Sequence, residues 1–231
     1  MQHNCSQCRL LYGKRICKSP DGFIPKDCTT KQYEEAIQQA NDIYIRNDIV
    51  RQFAAEAAKQ EASCYGHPTE GVSCAIPIKP RVIEIIEFCR RMKYRKIGLA
   101  FCGGLVTESK VFGKMLLDNG FDVISVICKV GGTDKALIGL TDEEKICKFG
   151  HESMCNPIAQ ALIMNQEKTE FNILLGLCVG HDSLFLKYSD AMCTILATKD
   201  RLLGHNPLAA IYTSESYYRY INFQVKIPQK T

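Results

Sequence analysis

No apolar stretch in these 231 residues approaches the roughly 18 needed to cross a bilayer, so no helical membrane span and no membrane partner are expected. Nor is there a run of five like charges. With a formal net charge of only +4, the chain lacks the electrostatic footprint of a nucleic-acid partner. The first ten residues are polar and already include Cys5 and Cys8, which argues against a secretory leader and for a cytoplasmic protein. Internal repeats and low-complexity tracts are missing as well. What remains is an ordinary globular composition, 46% hydrophobic and 23% charged, long enough for one α/β domain with a small appendage.

Against that plain background stand thirteen cysteines. In a reducing cytoplasm they would be thiols, so metal ligation and thiol catalysis have to be weighed against simple packing. Position along the chain decides between them.

Three regions can be distinguished. Residues 1–29 have little hydrophobic periodicity, several turn formers (Gly13, Pro20, Gly22 and Pro25) and four cysteines, and cannot bury a core unaided. Residues 30–79 form a helical arm and linker. Ile37, Ala40, Tyr44 and Ile45 fall at helical spacing after a cap at Thr29 or Thr30, giving one long or two shorter helices to about Ser63. The stretch 65–80, with Gly66, Pro68, Gly71, Pro77 and Pro80, reads as a loop.

Residues 80–231 alternate between helical and strand patterns. Helices are expected at 80–94, 107–119, 156–165 and 182–188, and strands at 97–102, 122–128, 172–178 and 191–197. Strands apolar on both faces, separated by helices, indicate an open, mainly parallel Rossmann-like sheet of four or five strands with helices on both faces. The expected strand order is 2-1-3-4.

Two groups of cysteines carry chemistry in this reading. Cys5 and Cys8 make a C-x2-C pair, and Cys17 and Cys28 can complete four thiolates around zinc or an iron–sulfur cluster, with the metal replacing the missing core. His3 is a substitute ligand in principle. Cys102, Cys128 and Cys178 each fall at the carboxyl end of a strand, where an open parallel sheet places its ligand crevice. Cys155 precedes Asn156 and Pro157, a helix start whose dipole would lower the thiol pKa. These four are expected to converge, as cluster ligands or as thiolate nucleophiles.

Beyond them His181, Asp182, Lys199, Asp200, Arg201, His205 and Asn206 line the same edge, and the sequence at 205–207 resembles a helix start able to hold an anion. Cys155, Cys178, His181 and Asp182 are the candidate catalytic groups, and Lys199 and His205 the candidate cofactor contacts. The paired glycines at 103–104 and 131–132 fall short of a G-x-G-x-x-G or P-loop signature, so nucleotide binding is the weaker reading. Cys64, Cys74, Cys89, Cys147 and Cys193 share no spacing and are assigned to packing.

The stretches IGLAFCGGL (97–105), VICKVGG (126–132), MCNPI (154–158), GLCVGHDSLF (176–185) and KDRLLGHNP (199–207) carry a resemblance. They resemble a small prokaryotic family of uncharacterised metal-binding proteins, the domain of unknown function eighteen forty-seven. The resemblance implies the same fold and metal binding through cysteines, and brings no reaction with it. The segment with Cys64, His67 and Cys74 departs from it.

The function expected is therefore a cysteine-ligated metal protein, iron–sulfur (4Fe-4S) before zinc, with redox or sulfur chemistry of anaerobic metabolism at the strand ends. A small-molecule substrate, an electron-transfer partner and a homodimer are the partners this reading allows. Two alternatives stand beside it: a non-enzymatic zinc-binding regulatory module, and a metal-independent cysteine transferase.

Overall fold

The computed structural model describes residues 5–66 and 75–223, so His3, His67 and Cys74 lie outside the described residues. The chain divides into two compact units, Met1–Pro77 and Ile78–Thr231.

In the first unit two short 3-10 turns precede α1 (Thr29–Gln32), α2 (Glu34–Arg46) and α3 (Asp48–Ser63). The arm is thus two main helices. They break at Asn47, whose side chain accepts hydrogen bonds from the Ile49 and Val50 amides, both at 3.1 Å, and so caps α3. α1 is capped from Cys28, one residue ahead of the expected cap. Part of the segment expected to be a loop pairs as two antiparallel strands, β1 (Tyr65–Gly66) and β2 (Ile76–Pro77).

The second unit runs α4 (Arg81–Arg91), β3 (Lys96–Phe101), α5 (Val106–Asp118), β4 (Asp122–Ile127), α6 (Pro157–Gln166), β5 (Phe171–Leu175), α7 (His181–Tyr188), β6 (Cys193–Ala197) and α8 (Leu208–Tyr212). Four strands form one sheet in the order β4-β3-β5-β6, every pairing parallel. This is the 2-1-3-4 order that the sequence pattern implies.

The two faces of the sheet are covered differently. Leu99 meets α5, where a methyl group at Gly113 would stand 3.8 Å from it. One residue earlier, Gly98 faces α6 so closely that a Cβ there would lie 2.6 Å from Met164 Sδ and 2.0 Å from Asn172 Oδ1. Successive side chains of a strand point to opposite faces. On the α5 face Phe171 of β5 packs on Phe88 of α4, with ring centroids 5.5 Å apart. On the other face Ala100, Val126 and Leu174 join Ala161 and Met164 of α6 and Phe185 of α7 in one apolar cluster. The central strands are the best buried, with Ile97, Leu99 and Ile173 fully inaccessible. Each such side chain contributes about 1.5–3 kcal/mol relative to an exposed one.

Between β4 and α6 the chain makes a long excursion pinned by Asp134. Its carboxylate accepts from the Ala136 amide at 2.7 Å and the Glu152 amide at 2.8 Å, and lies 3.4 Å from the buried Lys145 amine. These donors hold its pKa down at about 2. The excursion returns at Met154, whose N–H donates to the Thr133 carbonyl at 2.7 Å.

Candidate functional site at the carboxyl edge of the sheet

β3 ends at Phe101 and β4 at Ile127, partners in the parallel register, and the next residue of each is a cysteine. Cys102 and Cys128 therefore leave the sheet side by side. The Cys128 N–H donates to the Phe101 carbonyl at 2.8 Å and the Cys102 N–H to the Leu175 carbonyl at 3.0 Å, which carries the ladder one residue past the strands.

The paired glycines after β3 serve these sulfurs. Gly103 N–H donates to Cys128 Sγ at 3.2 Å and Gly104 N–H to Cys102 Sγ at 3.4 Å. Gly104 has a further reason to be small, since a Cβ there would stand 2.9 Å from Lys199 Nζ. Lys199 is positioned from the neck after β6 by its own N–H, which donates to the Leu177 carbonyl at 3.2 Å. Its amine reaches Cys102.

Cys155 joins from the returning excursion. The next amide, Asn156 N–H, donates to the Cys128 carbonyl at 2.7 Å, while the Asn156 side chain caps α6 by accepting from the Ala159 amide at 3.0 Å. Pro157 follows at the first helical turn. The side chains then follow one another, Cys102 beside Cys128, Cys128 beside Cys155, and Cys155 beside His181 at the start of α7.

That succession sets the protonation of its members. Cys102 is drawn down to about 5 by the Cys128 hydrogen bond first, against the opposing effect of burial, then by the Gly104 amide and Lys199. Cys155 falls to about 4, through Cys128 first and His181 second, with Lys129 adding its charge. Cys128 moves strongly upward, because its proton serves the sulfurs of Cys102 and Cys155 and burial adds to this. His181 is raised by the Cys155 sulfur beside it. The edge thus favours the thiolate at Cys102 and Cys155 and the thiol at Cys128, with the charges of Lys199 and Lys129 and a histidine beside them.

The sequence expectations meet this geometry unevenly. Cys102, Cys128, Cys155 and His181 come together, and Lys199 joins them. Cys178 stands outside this succession. β5 ends three residues before it, and its sulfur accepts from Arg201 Nη2 at 3.0 Å. Asp182 binds the Ser183 amide at 2.8 Å and acts on His181 only through its charge. His205 is not free to contact a cofactor through Nδ1, which accepts from the Asp200 amide at 3.1 Å and closes a turn. A helix does start after Pro207, but it has only five residues.

The cause of the low Cys155 pKa also differs from the one expected. Hydrogen bonds from distant residues lower it, where the sequence pointed to the helix terminus. Lys129 is the group sequence reasoning passed over; its amine also donates to the Ser153 carbonyl and so holds the segment that carries Cys155. Among the cysteines assigned to packing, Cys64 and Cys89 are buried, and burial pushes the Cys89 thiol up to about 12. Cys147 is exposed and packs nowhere, because the excursion carries it away from the core.

In the first unit Cys5, Cys8, Cys17 and Cys28 line one cavity of about 690 Å3. Among the described residues no three His, Cys, Asp or Glu side chains are already arranged to hold a metal ion, and no helix is long and apolar enough to cross a membrane. As donors the strand-edge sulfurs suit a soft metal: they are thiolates or one proton from it, and each of two accepts a backbone N–H that would stabilise charge on a ligating sulfur.

Sheet and edge together define an α/β protein with a thiol-rich centre outside the carboxyl ends of its parallel strands. The chain belongs to the family described as protein of unknown function DUF1847, which it matches over residues 28–196. It is also 43% identical, over 216 residues, to an uncharacterised protein of Methanocaldococcus jannaschii, covering 93% of this chain and 95% of that one. No solved structure matches it.

Proposed function

We propose that this chain is a cysteine-ligated metal protein whose reactive centre is an iron–sulfur centre held by Cys102, Cys128 and Cys155 at the strand edge. The observation that supports the reading is the succession of thiols from three separate chain segments, Cys102 beside Cys128 and Cys128 beside Cys155, two of them already bound by backbone amides. Three cysteines would hold a cluster that takes four ligands, and the chemistry such a group would supply is Lewis-acid or one-electron chemistry on a small substrate. Gly103 and Gly104 orient and stabilise the sulfurs, Lys199 and Lys129 offset their charge, and His181 holds a proton beside Cys155. Cys102, Cys128 and Cys155 form no disulfide, which suits a reducing cytoplasm.

Iron and acid-labile sulfide per chain, measured on protein purified without oxygen, test this directly. The triple variant Cys102→Ser, Cys128→Ser, Cys155→Ser is expected to lose one centre's iron and sulfide. A triple variant that keeps the metal of the parent chain would sink the reading. Stoichiometric zinc without sulfide would replace it with a zinc-binding module.

A second reading is favoured by the hydrogen bond between Cys155 and His181, which is the arrangement of an activated thiol nucleophile. It predicts that the metal-free protein is alkylated by iodoacetamide at Cys155 first, and that His181→Gln slows this. Uniform alkylation of the accessible thiols would dismiss it.

A further inference from the structure

Residues 5–50 contain no buried residue. Leu11, Tyr12 and Phe23 are each more than 60% exposed. Yet residues 5–28 hold a definite path. The Phe23 amide donates to the Lys14 carbonyl at 2.9 Å and the Ile16 amide to the Phe23 carbonyl at 3.2 Å. Arg15 spans the turn, donating from Nε to the Leu10 carbonyl at 2.9 Å and from Nη2 to the Cys8 carbonyl at 3.0 Å. A chain this short cannot keep such a path on exposed turns alone, because about 1–2 kcal/mol of backbone entropy is lost per ordered residue.

Around the cavity of about 690 Å3 stand all four cysteines of the segment, with Arg9 and Arg15 against the single acidic group Asp27. The space these four residues line is far larger than the roughly 30 Å3 share of a water molecule, with room for a body of several atoms. A four-cysteine iron–sulfur cluster spreads its ligands around a body of several atoms and leaves the site with net negative charge, which the two arginines offset.

We propose that Cys5, Cys8, Cys17 and Cys28 hold an iron–sulfur cluster in this cavity, separate from the strand-edge centre, and that the cluster takes the place of a hydrophobic core for residues 5–28. The site lies wholly within the first unit, and three of its four cysteines precede the residues matched by the family.

The test compares the full chain with Cys17→Ser/Cys28→Ser, purified without oxygen, by iron, zinc and acid-labile sulfide content. If both centres form, the variant is expected to keep about half the iron and sulfide. If the strand-edge centre is metal-free, the variant keeps none; either result supports the proposal. Undiminished iron and sulfide would overturn it, as would loss of one zinc without sulfide. Should the double variant be insoluble, the strand-edge triple variant decides. That protein must still be brown with sulfide-to-iron absorbance, and a colourless one overturns the proposal.

Discussion

Cysteines in the two units of this chain are held by opposite means. At the strand edge the sheet is complete without them: Ile97, Leu99 and Ile173 are fully buried, and Cys102 and Cys128 sit where the strands run out. In residues 5–28 nothing is buried, and the four sulfurs are what the segment has in common. A fold that already exists can press thiols into contact and shift their protonation. A segment without a core can only gather them around something else. The first arrangement tunes chemistry, and the second supplies structure.

The strongest way to break this contrast is to withdraw metal. Anaerobic treatment with an iron chelator is expected to expose residues 5–28 to protease at least about tenfold faster while the sheet of the second unit keeps its protection. Equal loss in both units would show that the sheet also depends on metal.

A second experiment attacks the sheet. Gly98→Ala places a Cβ against Asn172 and Met164, and both are fully buried, so it is expected to cost about 3 kcal/mol or more in urea unfolding of the second unit. Iron held by the N-terminal cysteines should be unchanged. A neutral effect would mean that α6 can move away from β3 at little cost.

Protonation offers a finer separation. In metal-free protein at pH 6, Cys102 at about 5 and Cys155 at about 4 are mostly thiolate, whereas an ordinary thiol is below about 1% ionised. Their alkylation should therefore reach its plateau below neutral pH, and fall to half near pH 5 at Cys102 and near pH 4 at Cys155. Lys199→Ala removes a cation from Cys102 and is expected to move its profile upward by about one pH unit, leaving Cys155 in place. A profile that does not move would take Lys199 out of the site.

The smallest effect concerns the excursion that delivers Cys155. Asp134 has a folded pKa below its usual value, so its stabilisation is present above the ordinary carboxylate range and is lost only as pH falls through about 2. Amide protection at Glu152 and Met154 is expected to persist at pH 4 and to fade near pH 2. Earlier loss would point to another carboxylate.

Much of this was legible in the sequence, for a physical reason. Strands apolar on both faces and separated by helices leave few parallel topologies, so β3 to β6, their order and the placing of Cys102 and Cys128 at the carboxyl ends of their strands could be read directly. The pairing of Cys155 with His181 could not, because it depends on how α6 and α7 pack. Lys199 was readable as a residue of the edge, but its reach to Cys102 requires the empty space at Gly104. The paired glycines looked like a fragment of a phosphate loop, and their amides are spent on sulfur. His205 and Cys178 were assigned to the centre by position alone, and in the structure the first closes a local turn and the second accepts from Arg201.

The strand order also imposes a sequence in time. Leu99 pairs with Ser125, 26 residues on, and with Ile173, 74 residues on. Closing the longer loop costs about 0.9 kcal/mol more in chain entropy, so β3 and β4 are favoured to meet before β5 docks. Cys102 and Cys128 therefore come together while α7, with His181, has yet to arrive. A chain refolding in air passes through that half-built stage with two neighbouring thiols uncovered, and its yield of native protein is expected to rise with added reductant.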